Sequence, residues 1–66
     1  MNIVVNEQVI AIPAGSNIEQ LLERLESPLK GSAVAVNQNI VSRSTWAEYI
    51  LNEGDQISLF QAIAGG

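Results

Sequence analysis

A single apolar helical stripe constrains this chain more than any other feature. Ile18, Leu21, Leu22 and Leu25 recur at i, i+3, i+4 and i+7, with Glu19, Gln20, Glu23, Arg24 and Glu26 on the other faces. Ser16 stands three residues before Glu19, and Asn17 three before Gln20. Either pair can close a capping box over the first free N–H groups of a helix. Pro28 sets the far limit, so the pattern predicts one helix of about ten residues. A helix with one apolar face must lie on something flat, and a sheet is the available partner.

The rest of the chain supplies that sheet. Asn2-Ile3-Val4-Val5-Asn6 reads as a strand, Asn6-Glu7-Gln8 as a turn, and Val9-Ile10-Ala11-Ile12 as the returning strand that Pro13 closes. Beyond the helix, Lys30-Gly31-Ser32 is a loop and Ala33-Val34-Ala35-Val36 a third strand. Asn37-Gln38-Asn39 repeats the turn chemistry before a short strand at Ile40-Val41. Residues 43–51 read as an irregular or 3₁₀-rich crossover whose Trp46 and Ile50 cover one end of the core. Packing is the expected role of Trp46, ahead of a stacking platform for a ligand. Asn52-Glu53-Gly54-Asp55 is a turn, and a last strand runs from Gln56 to about residue 63. Strand parity sets Ile57 and Leu59 toward the helix and turns Phe60 and Ala62 away from it, where Phe60 is either covered by the crossover or part of an exposed apolar patch. The order predicts an α+β fold: a mixed four- to five-stranded sheet, the helix across one face, and the last strand central and parallel to the first.

Composition narrows the function. The chain has no cysteine, which removes disulfides and thiolate metal sites, and no histidine, which removes the commonest general base and neutral metal ligand. A free-standing catalyst is not expected. Seven acidic against three basic residues give a net charge of −4, and Arg24, Lys30 and Arg43 are scattered, so nucleic acid is not an expected partner. No stretch approaches the ~20 apolar residues of a membrane span. The N-terminus lacks the basic-then-apolar pattern of a signal peptide, and the expected compartment is the cytoplasm.

The last strand leads directly into Ala64, Gly65 and Gly66. Glycine has no Cβ, so such an end is thin and can adopt backbone conformations closed to other residues. A slim strip ending in a carboxylate can enter a narrow active site. That carboxylate is ionised at neutral pH, since α-carboxyls titrate near ~3.5, and is therefore a poor electrophile until activated, for instance as an adenylate. Two terminal glycines also arise by chance, glycine making up ~7% of average sequences.

Taken together, these features resemble the ubiquitin-like β-grasp sulfur carriers, and most closely the ThiS family of thiamine biosynthesis. The resemblance spans the whole chain. It includes the opening hairpin, Gly15 leading into Leu21-Leu22, Ala35-Val36-Asn37 before its turn, and Ile40-Val41 with the segment 43–46. It closes with Gly54-Asp55-Gln56-Ile57 and with Phe60-Gln61-Ala62-Ile63-Ala64-Gly65-Gly66. It implies a single β-grasp domain over residues 1–66 with a flexible tail at 64–66.

The resemblance also implies a role as protein co-substrate rather than enzyme. A ThiF-like adenylating enzyme, using ATP and magnesium, would activate the carboxylate of Gly66. A sulfur donor such as a cysteine desulfurase system would leave a thiocarboxylate there, and a ThiG-like thiazole synthase would take the sulfur. Gly65 and Ala64 would thread into the partner active sites, while Phe60, Ala62 and Ile63 would dock on the partners. The carrier itself would bind no cofactor and no metal. A molybdopterin-synthase small subunit, or another ubiquitin-like carrier or modifier, would share the tail chemistry. From a different class, a double-glycine leader or a plain interaction module would use the tail as a cleavage signal or not at all.

Overall fold

The computed structural model describes residues 1–27 and 31–61. The elements follow in the order β1 (Asn2–Val5), β2 (Gln8–Ala11), α1 (Ile18–Arg24), β3 (Ser32–Val36), β4 (Asn39–Val41), a 3₁₀ turn at Arg43–Thr45, and β5 (Gln56–Gln61). The five strands form one sheet in the order β2-β1-β5-β3-β4. β5 lies at its centre, parallel to β1 and antiparallel to β3, as the sequence predicts.

The sheet buries one face. Alternation puts Ile3 and Val5 of β1, Ile57 of β5, and Val34 and Val36 of β3 on that face, where they join Ile18, Leu21 and Leu22 of α1 in one core. Val5 and Val36 both register with Ile57, and Val34 registers with Leu59, which is partly buried against the same cluster. Of the crossover residues, Trp46 is buried and its indole Nε1–H donates to Val41 O at 2.9 Å. The packing reading of Trp46 therefore holds. The reading of Ile50 does not. Leu51 is buried at that end of the core, whereas Ile50 is 50% exposed. The reason is backbone pairing. Ile50 bridges to Asn17 and the Leu51 N–H donates to Ser16 O at 2.9 Å, which turns Leu51 inward and Ile50 out.

The helix begins as one of the two candidate boxes specified and ends earlier than Pro28. Asn17 is the N-cap: its Oδ1 accepts from Gln20 N at 2.8 Å, and Gln20 Oε1 accepts from Asn17 N at 2.9 Å. Ser16 is not part of the box; its hydroxyl donates to Pro13 O instead. At the other end Glu26 takes φ 56, its N–H donates to Glu23 O, and the Ser27 N–H donates to Leu22 O. That is a Schellman motif, which usually has glycine at the left-handed position. A glutamate there gives no signal in sequence, so α1 covers seven residues rather than about ten.

The two hairpins turn more tightly than the polar runs predict. Asn6 and Glu7 have φ of 48° and 70°, and Asn37 and Gln38 have φ of 50° and 74°. Both are two-residue connections with two left-handed positions, the turn type whose twist matches that of the flanking strands. Asn6, read as both strand end and turn, belongs to the turn, while Gln8 and Asn39, read as turn, open β2 and β4. A third turn is fixed by Asp55, whose carboxylate accepts from Asn52 N at 2.8 Å and from Asn37 Nδ2 at 3.1 Å.

Two outcomes follow from this packing. Leu22 is fully buried, so Leu22→Ala should cost about 2–5 kcal/mol; an unchanged thermal melt would contradict the placement of α1. Glu26→Gly should raise stability by about 0.5–1 kcal/mol, because relief of the left-handed strain exceeds the entropy cost of glycine. Chemical denaturation of both variants checks the two signs together.

Candidate functional site

β5 is the last described element before residues 62–66, so the site begins with what holds that strand. The flank facing β1 is bonded through Val4 N–H to Asp55 O at 2.9 Å and Asn6 N–H to Ile57 O at 3.0 Å. The flank facing β3 is paired farther along, with Ala33 opposite Phe60 and Ser32 opposite Gln61. β5 is thus a fixed base up to Gln61. Of the tail and docking residues expected from sequence, Ala62, Ile63, Ala64, Gly65 and Gly66 lie outside the described residues, as does the upper end of the expected strand.

Phe60 is described, and parity places it as expected. It stands on the sheet face opposite α1 and is 55% exposed. The crossover does not cover it. The same face carries residues that the linear pattern did not single out. Ile40 registers with Ala35, and Ala35 with Ser58, so these three form one row across β4, β3 and β5. Ile40 is 73% exposed. Phe60 and its partner Ala33 sit one same-face step along the strands from that row. At the far edge, Val9 of β2 is likewise exposed and opposite Val4. None of the strand residues is charged. The outer face is therefore an uncharged, partly apolar surface at the base of the tail. Exposed apolar patches of this kind mark contact surfaces. Ile40 was legible in principle from its register in a three-residue strand, but a strand that short has too little alternation to assign a face.

Among the described residues there is no pocket. No group of three or more His, Cys, Asp or Glu residues there could hold a metal. No helix among them is long and apolar enough to cross a membrane. What the described part offers is a rigid central strand, an uncharged face beside it, and a continuation toward residues 62–66.

A five-stranded mixed sheet with the last strand central and one helix across one face defines a β-grasp domain. The comparisons with known proteins agree with that class and narrow it. The ThiS family model matches residues 1–66. The sulfur carrier protein ThiS of Escherichia coli (strain K12) is 48% identical over 66 residues, covering all of both chains. A crystal structure of the thiamine biosynthesis protein (ThiS) from Geobacter metallireducens superposes with a TM-score of 0.85 at 22% identity over the whole of both chains. An NMR solution structure of a thiamine biosynthesis protein from that organism gives 0.79, covering this chain fully and 88% of the other. The chain belongs to the ThiS family.

The exposure of Phe60 has a direct consequence for stability. Phe60→Ala should leave stability within about 0.5 kcal/mol of the parent, as for surface substitutions generally. A large fall in melting temperature would place the ring in the core.

Proposed function

We propose that the protein is a sulfur carrier that supplies the thiazole sulfur of thiamine, with the carboxylate of Gly66 as its reacting group. The observation that supports this most is the full-length similarity, at 48% identity, to a curated sulfur carrier protein, with the match running through Gly66. The protein acts as a co-substrate in the cytoplasm and brings no catalytic residue, metal or cofactor of its own.

The chemistry follows from the electrophile. An ionised carboxylate resists nucleophilic attack, so a ThiF-like enzyme first joins a Gly66 oxygen to the α-phosphorus of ATP, with magnesium balancing the phosphate charge. Pyrophosphate leaves. A sulfur nucleophile at the oxidation level of sulfide, released when a thiol reduces the persulfide of a donor such as a cysteine desulfurase system and is itself left as a disulfide, then attacks the acyl carbon. The C–S bond forms, the C–O bond to the phosphate breaks, and AMP departs. A ThiG-like thiazole synthase takes the sulfur from the thiocarboxylate. Gly65 and Ala64 thread into both partner sites, where a Cβ at position 65 would widen the strip. Phe60, Ala62 and Ile63 meet the partner enzymes at the mouth, and Ile40 extends that contact on the same sheet face.

Two measurements test this. Incubated with the matched adenylating enzyme, ATP, magnesium and a sulfur source, the intact protein should gain the mass difference between sulfur and oxygen, localised to Gly66. Removal of Gly66 should abolish the gain while leaving stability almost unchanged, because it shortens the reach by ~3.3–3.6 Å where 1 Å already matters. Equal sulfur uptake by the shortened chain, or none by the intact one, overturns the proposal. Phe60→Ala should weaken binding to the adenylating enzyme or the thiazole synthase more than it weakens folding. Unchanged affinity for both would remove Phe60 from the docking surface.

A further inference from the structure

The side chain of Asn6 takes the place of a peptide group in the sheet. β1 ends at Val5, and the backbone turns away at Asn6 into the hairpin, with φ 48°. Its own N–H still reaches Ile57 O at 3.0 Å. The next rung on that flank of β5 has no strand residue to make it. The Asn6 carboxamide makes it instead: Oδ1 accepts from Leu59 N at 3.0 Å, and Nδ2 donates to Leu59 O at 3.2 Å. A carboxamide has the donor and acceptor of a peptide unit, so it extends the parallel ladder by one step after the chain has left. Among the described residues this is the last rung on the β1 flank of β5. Gly66 lies seven residues beyond Leu59.

The equivalent residue of the second hairpin works at the opposite end of the same strand. The Asn37 N–H donates to Gln56 O at 2.7 Å, and Asn37 Oδ1 accepts from Gln56 N at 3.1 Å. Asn37 therefore secures where β5 begins, and Asn6 secures where it is last held on both flanks. Among the described residues, β5 past Leu59 pairs with β3 alone, at Phe60 and Gln61.

From this geometry we infer that Asn6 is a positioning residue for the reacting end: its carboxamide fixes the two-sided anchor of β5 at Leu59, seven residues ahead of Gly66. The inference rests on the sulfur-carrier reading. Asn6 touches no reacting atom; it acts through Leu59. Without the rung, the distal end of β5 is held by β3 on one side and can swing, so docking must restrict more conformations before Gly66 reaches its target. The loss should fall on KM for the carrier rather than on kcat, since a docked tail reacts normally.

The clean variant is Asn6→Gly. Glycine accepts the left-handed turn conformation, so it removes the carboxamide without straining the hairpin. Glu7→Gly, at φ 70° in the same turn, keeps the carboxamide and is the control for the turn. Ile3→Val lowers core stability without touching β5's exit and is the control for general loosening. The assay is ATP-dependent pyrophosphate release by the matched adenylating enzyme as a function of carrier concentration, with hydrogen exchange at the Leu59 amide alongside. Asn6→Gly should speed Leu59 exchange and raise KM about threefold to tenfold, the size expected from losing roughly one net hydrogen bond of ordering, with kcat kept. Asn6→Asp should behave alike, because it sets a carboxylate oxygen against Leu59 O. Glu7→Gly and Ile3→Val should keep the parent KM. An unchanged KM for Asn6→Gly, or an equal rise in Ile3→Val, overturns the positioning role. A parent protein that releases no pyrophosphate with an active matched enzyme instead overturns the sulfur-carrier reading itself.

Discussion

Everything else in this domain depends on the burial of one short helix against one face of the sheet. The chain has no cysteine, so no covalent link closes its loops, and apolar burial must offset the ordering of the backbone. Ile18, Leu21 and Leu22 meet Ile3, Val5, Val34, Val36 and Ile57 in a single cluster, together with Ile12, Trp46 and Leu51. Three of the strands meeting there are β1, β5 and β3, the middle of the sheet. The strand that leads toward the tail is therefore also the strand most firmly held. Its inner side chain at Ile57 sits in the core while its outer face stays open.

This division of faces allows a small carrier to be both stable and accessible. Core residues serve stability and cannot be spared for contacts. The outer face, with Phe60 and Ile40 exposed and no charge on the strands, is free of that duty. A surface without fixed charge can be covered without desolvating ions. The chain's net negative charge lies on the loops, turns and helix, where it favours solubility. The asparagines of the two hairpin turns link these layers. Asn6 and Asn37 supply backbone-like bonds to β5 from positions where the backbone itself has turned away. A tight turn would otherwise leave the central strand short of partners at both ends.

The sequence by itself determined most of the architecture and the family. The helix stripe and the outward Phe60 follow from periodicity, because each depends on which neighbours share a face, and the central parallel placement of β5 follows from the order of the elements. The terminal glycines and the family resemblance pointed to the carrier role, since a slim tail after a strand is written in the residues themselves. Tertiary structure decided what periodicity cannot encode. Glu26 ends the helix in a conformation glutamate does not advertise. Ile50 yields its core place to Leu51 because a bridge to Asn17 sets the local register. Ile40 joins the Phe60 face through β-pairing with Ala35. Asn6, which reads as a strand end or a turn residue, becomes the last rung on one flank of β5 among the described residues. For Ile50 and Asn6 the deciding partners, Asn17 and Leu59, lie far along the chain, and a hydrogen bond between distant residues leaves no periodic trace in either segment.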